Sequence, residues 1–141
     1  MRKIDTVVIH CSATPPTMDI GRKEIDEWHR AKGWNGIGYH YVIRRNGEIE
    51  NGREIGTVGA HVAGHNAHSV GICLVGGVDS HNQPENNFEE IQFDSLLELL
   101  GMLKDEIPNA FDVVGHNELN PHKACPSFNV QDWLRQVVLN S

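Results

Sequence analysis

Apolar positions along this chain fall into two patterns, short β-branched runs and longer stretches with three-and-four spacing. Thr6-Val7-Val8-Ile9 is β-branched throughout and reads as a strand buried on both faces. Tyr39 to Arg44 alternates aromatic or aliphatic residues with polar ones and then meets Asn46-Gly47, a hairpin turn signal that predicts a return strand at Glu48-Ile49-Glu50. On this pattern Tyr39 and His40 point to opposite strand faces. Val70 to Val75, closed by Gly76-Gly77, is a second buried run, and Asp112-Val113-Val114-Gly115 is a short further strand. Arg22 to Lys32 sets Ile25, Trp28, His29 and Lys32 on one side of a helix that Gly33 stops. Phe88, Gln92, Leu96, Leu99, Leu100, Leu103 and Ile107 trace the clearest helix, ended by Pro108. A last helix starts near Ser127 or Asn129 and carries Val130, Trp133, Leu134, Val137 and Val138.

Strands alternating with helices predict an α/β domain, a central sheet covered by helices. At 141 residues the chain fits one domain, 1–141, long enough to hold a core without disulfides. The polar segments Gly56 to Asn66 and Ser80 to Asn87 read as loops, where binding residues tend to gather.

Charge narrows the partners. Twelve basic against nineteen acidic residues give a net charge of −7, which excludes the electrostatic footprint of a nucleic-acid binder and a polybasic lipid anchor. No apolar run reaches the ~18–20 residues that span a bilayer. The start, Met-Arg-Lys-Ile-Asp-Thr-Val-Val, lacks the features of a secretory signal, so synthesis in the cytoplasm is expected. Three widely separated cysteines, Cys11, Cys73 and Cys125, make no disulfide framework and are expected as thiols or metal ligands. The protein is expected to act as a monomer, without nucleic-acid or membrane partners.

Nine histidines are many for this length. His10 follows the first strand at its C-terminal end, the edge of an open α/β sheet where ligands bind. His116 stands in the same relation to Val113-Val114, so the two would face one site if the strands run parallel. Cys125 lies nine residues after His116 in Pro121-His122-Lys123-Ala124-Cys125-Pro126. Two imidazoles and a thiolate make a three-ligand zinc site with an open fourth position, the catalytic arrangement. On spacing alone the pattern is not specific: a strand-end His can be a hydrogen-bonded edge residue, and a lone Cys a small buried hydrophobe. His61, His65 and His68 cluster in a loop that could bind metal, hold substrate or sit in solvent. His29 and His81 read as surface residues. Tyr39 reads as packing or as a donor, and Lys123 as solvated or as a group close to any metal on Cys125.

Together these residues resemble a known family. Val8-Ile9-His10-Cys11-Ser12-Ala13-Thr14, Ile20-Gly21 through Trp28-His29, Gly33-Trp34, Gly38-Tyr39-His40-Tyr41, Asn46-Gly47, Gly71-Ile72-Cys73-Leu74-Val75-Gly76-Gly77, Gly115-His116 and Lys123-Ala124-Cys125-Pro126-Ser127-Phe128 occur in order along nearly the whole chain. The chain is similar to the type 2 N-acetylmuramoyl-L-alanine amidases, zinc amidases that include amidase-type phage lysozymes and share a fold with peptidoglycan recognition proteins. The resemblance implies an α/β single domain with a central mixed sheet flanked by helices. It implies one zinc ion on His10, His116 and Cys125, with Tyr39 and Lys123 assisting catalysis by stabilising the developing oxyanion. It implies peptidoglycan as substrate, cut at the amide between N-acetylmuramic acid and L-alanine. As a phage or prophage endolysin, the enzyme would reach the wall after release; the alternatives are cytosolic recycling of muropeptides and a non-catalytic peptidoglycan-binding module. His40, His61 and His68 are candidate substrate contacts, and the Trp34–Gly38 turn a candidate cleft wall. Some relatives use a carboxylate base; Glu118 is near His116 but reads equally as a loop residue.

Overall fold

The computed structural model describes residues 2–139; residues 1, 140 and 141 of the expected domain lie outside the described residues. Among the described residues five strands form one mixed sheet in the order β3-β2-β4-β1-β5. They are β1 (Thr6–Cys11), β2 (Tyr41–Ile43), β3 (Ile49–Asn51), β4 (Ser69–Leu74) and β5 (Asp112–Gly115). β2 and β3 are the antiparallel hairpin expected around Asn46-Gly47. Gly47 takes φ +87° and the Asn46 side chain accepts the Glu48 N–H at 2.9 Å, which is why this dipeptide turns the chain there. All other pairings are parallel, with β1 between β4 and β5.

Among the described residues four α-helices complete the fold: α1 (Arg22–Ala31), α2 (Glu90–Glu106), the one-turn α3 (His116–Leu119) and α4 (Val130–Leu139). Asn129 caps α4, accepting the Asp132 N–H at 2.9 Å. Alternation along the parallel strands divides the core between two faces. Val7, Ile9, Val70, Ile72 and Leu74 point to one face and pack with Leu96, Leu99, Leu100 and Leu103 of α2. Cys73 and Val42 point to the other, with Ile25 of α1, Ile20, Ile37 and Val75.

The expected elements are present, with shifted ends. β1 runs two residues further than the β-branched stretch, so His10 and Cys11 belong to the strand. β2 begins only at Tyr41. Residues 39 and 40 therefore precede its regular pleat, and the expected opposition of their side chains does not hold: Tyr39 stacks near His10 and His40 near His61. On α1 only Ile25 and His29 are buried; Trp28 and Lys32 stay exposed.

Leu99 is fully enclosed between α2 and the sheet. Leu99→Ala should therefore lower unfolding free energy by about 2–5 kcal/mol, through lost burial and a residual cavity. Urea denaturation followed by circular dichroism checks this; a loss below about 1 kcal/mol would mean that the α2 face is not packed as described.

Candidate active site

The parallel register decides how the site is built. Ile9 pairs with Gly115, so His10 and His116 leave adjacent strands at one level of the sheet. Their rings lie 4.6 Å apart. The segment after α3 returns to the same edge, where Asn117 donates its backbone N–H to the Cys125 carbonyl at 2.9 Å. Cys125 Sγ then sits 3.8 Å from His10 Nδ1 and accepts the Cys11 backbone N–H at 3.1 Å. One ligand atom from each of His10, His116 and Cys125 falls within 4.8 Å of the others, the one such grouping of three among the described residues.

The donor chemistry suits a soft divalent cation. Burial, reinforced by His61 and His116, holds His10 well below the usual imidazole range, and burial with the Lys123 charge lowers His116. Both rings stay neutral and keep lone pairs to give. Tetrahedral zinc with bonds of about 2.0–2.3 Å spaces its ligand atoms by roughly 3.5 Å, close to the Cys125–His10 separation. The Cys125 thiol, with Ser127 and the Ala13 backbone, lowers Cys11 to about 7, and the same contact plus burial pushes Cys125 up. A metal's charge reverses this, since a coordinating thiol loses its proton outright. All three cysteines are free, as expected.

Tyr39 stands against His10, ring centroids 5.1 Å apart, and against His29 at 5.5 Å. Burial raises its phenol well above the ordinary tyrosine value, with the thiols of Cys73, Cys125 and Cys11 adding to the effect, so it stays a hydrogen-bond donor. Lys123 is exposed at the rim, close enough for its charge to act on His116. Beyond Tyr39 a recess of about 150 Å³ is lined by Ser12, Ile25, Trp28, His29, Lys32 and Tyr39.

The family model for N-acetylmuramoyl-L-alanine amidase matches residues 1–128. The chain belongs to the N-acetylmuramoyl-L-alanine amidase family. Among relatives of this amidase-family chain, the endolysin of Klebsiella phage KP32 is 47% identical over 127 residues, covering 90% of this chain and 83% of the relative. The endolysin of Escherichia phage T7 is 43% identical over 129 residues, covering 92% and 84%. Among solved structures, the N-acetylmuramoyl-L-alanine amidase LysC from Clostridium intestinale URNW superposes with a TM-score of 0.82 at 30% identity, over 99% of this chain and 87% of that one. A point mutant of Drosophila PGRP-LB in complex with tracheal cytotoxin superposes at 0.75 and 26% identity, over 89% and 76%. The mixed sheet flanked by helices is the fold of these amidases.

Several histidines stand elsewhere than the sequence suggests. His40 is fully buried; its Nδ1 accepts the Gly71 N–H and its Nε2 lies 2.8 Å from the Thr57 carbonyl and 3.1 Å from Arg2. His68 precedes Ser69, the β4 partner of Thr6, and so lies at the far end of the sheet, bound to Asp5. His61 is buried behind His10. His29 is not a surface residue: its ring is buried and its Nδ1 accepts the Gly38 N–H at 2.9 Å. His81 is exposed, as expected. Glu118 accepts the Gly115 N–H at 2.6 Å and two contacts from Gln131, so it caps α3. Sequence reasoning missed the roles of Trp28 and Lys32 in the recess; their exposed aromatic and cationic character beside Tyr39 was the available signal.

Proposed function

We propose that this chain is a zinc-dependent endolysin that hydrolyses the amide between N-acetylmuramic acid and L-alanine in peptidoglycan. The observation that carries the reading is the convergence of His10, His116 and Cys125 beside the donor Tyr39 at the C-terminal edge of β1 and β5. His10, His116 and Cys125 would hold zinc. When bound, zinc supplies a Lewis acid that polarises the scissile carbonyl and lowers the pKa of a water toward about 7. The residues do the rest. His10 and His116, kept neutral, leave the Lys123 ammonium as the nearby cationic side chain for the oxyanion that develops at the carbonyl. The Tyr39 phenol keeps its proton and donates to the same oxygen. The recess lined by Trp28, Lys32 and Tyr39 suits an amphipathic glycan–peptide chain: an indole face for the sugar and an ammonium for a stem carboxylate.

All three donors are in place, which argues against a non-catalytic binding module. The endolysin relatives favour lysis of intact wall over recycling of soluble fragments. The test is mass analysis of products from purified sacculi and from soluble muropeptides, with and without chelator. New L-alanine amino termini without new reducing sugars, released from sacculi and suppressed by chelator, are expected. New reducing ends, or activity confined to soluble fragments, would overturn the reading.

Metal removal should leave the fold standing. The larger core cluster, on the α2 face of the sheet, forms without the site residues. Chelator-treated protein should keep its circular dichroism spectrum, lose turnover and regain it with zinc. Unfolding on chelation would place this chain with small domains that need metal to fold.

A further inference from the structure

We infer that His61 is a positioning residue: through a relay ending at Ser69 it fixes the tautomer of His10 and turns the bare Nδ1 of that ring toward Cys125 and the metal site. The proposal deepens the zinc reading above and rests on it.

The direction of each bond follows from proton counting. Ser69 Oγ lies 2.7 Å from the His65 carbonyl, which can only accept, so the single hydroxyl proton is used there. Toward His61 Nε2, at 3.2 Å, the hydroxyl is therefore an acceptor, and that nitrogen carries the hydrogen. The His61 ring is buried, which disfavours a second, charging proton. Its Nδ1 is then bare and accepts from His10 Nε2 at 2.8 Å. With its proton on Nε2, His10 presents the Nδ1 lone pair, 3.8 Å from Cys125 Sγ.

Packing locks the relay. The His61 ring meets His10 edge-on, at 87° and 4.9 Å. It rests on Gly71, where a Cβ would lie 2.6 Å from the ring, so only glycine in β4 leaves it room. Asn66 Oδ1 accepts the backbone N–H groups of His61 and Val62 at 2.9 and 3.0 Å, holding the loop in place. His61 is 9% exposed and stands behind His10. A group that orients a ligating histidine from behind typically contributes about 10–100-fold in metal affinity.

The test uses the full chain. In zinc-free protein labelled with ¹⁵N-histidine, two-bond ¹H–¹⁵N spectra near neutral pH should show both His10 and His61 as Nε2–H tautomers. By chelator competition, His61→Leu should bind zinc about 10–100-fold more weakly than wild type. His61→Gln should fall between them, because its amide oxygen can accept the His10 proton. An Nδ1–H tautomer at His10, or a folded His61→Leu protein whose zinc affinity stays within about threefold of wild type against the loss expected, would overturn the proposal. If His61→Leu does not fold, the wild-type spectrum decides alone. Wild-type protein that fails to bind zinc would overturn the metal reading, and the metal-free spectrum separates that failure from a wrong tautomer.

Discussion

Cys125→Ser should yield a folded protein with little zinc and no measurable release of L-alanine termini from peptidoglycan. A serine hydroxyl stays protonated where a thiol beside a cation ionises, and the thiolate is the metal-ligating form. The site is arranged for sulfur: Cys125 Sγ accepts the Cys11 N–H and lies 3.8 Å from His10 Nδ1. His10→Ala and His116→Ala should lose metal and activity together for the same reason. Zinc content by elemental analysis and turnover on purified sacculi are the measurements. A Cys125→Ser protein with full zinc and ordinary turnover would sink the ligand assignment.

The second large effect separates chemistry from metal binding. Tyr39→Phe and Lys123→Ala should keep zinc and near-native substrate binding while losing about 10²–10³-fold in kcat, or about 3–4 kcal/mol each, the usual cost of removing one oxyanion donor. Tyr39→Phe deletes only the phenol oxygen, so the ring contacts with His10 and His29 remain. Lys123 is exposed, so its removal creates no buried cavity. Retention of more than about a third of wild-type kcat in either variant, against the ~10²-fold loss expected, would remove that residue from the chemistry. Loss of zinc would make it a support of the metal site.

The strands were legible because β-branched runs such as Thr6–Ile9 have few alternatives, and α2 because Gln92, Leu96, Leu99, Leu100 and Leu103 keep one buried face. His10 and His116 stood out because each closes such a run. Whether they meet depends on β1 and β5 being parallel neighbours, which neither run encodes by itself. The one-turn α3 is too short to show a period. His29 and His61 were misplaced for a shared reason. Polar residues in a helix or loop read as solvated unless a distant partner satisfies them, and those partners, the Gly38 N–H and the His10–Ser69 pair, are set only by tertiary structure. The opposition expected of Tyr39 and His40 failed because pleating starts two residues later.

β1 comes first among the strands, yet its neighbours are β4 and β5, and its site partners His116 and Cys125 are more than a hundred residues away. The first strand must therefore wait for partners that arrive at residues 69–74 and 112–115. A chain still being translated cannot bring the three donors together until residue 125 has cleared the ribosome. β1 pairs only across long sequence separations, with β4 and β5, the kind of contact that slows folding. The candidate site is thus completed late in synthesis, a consequence of strand order.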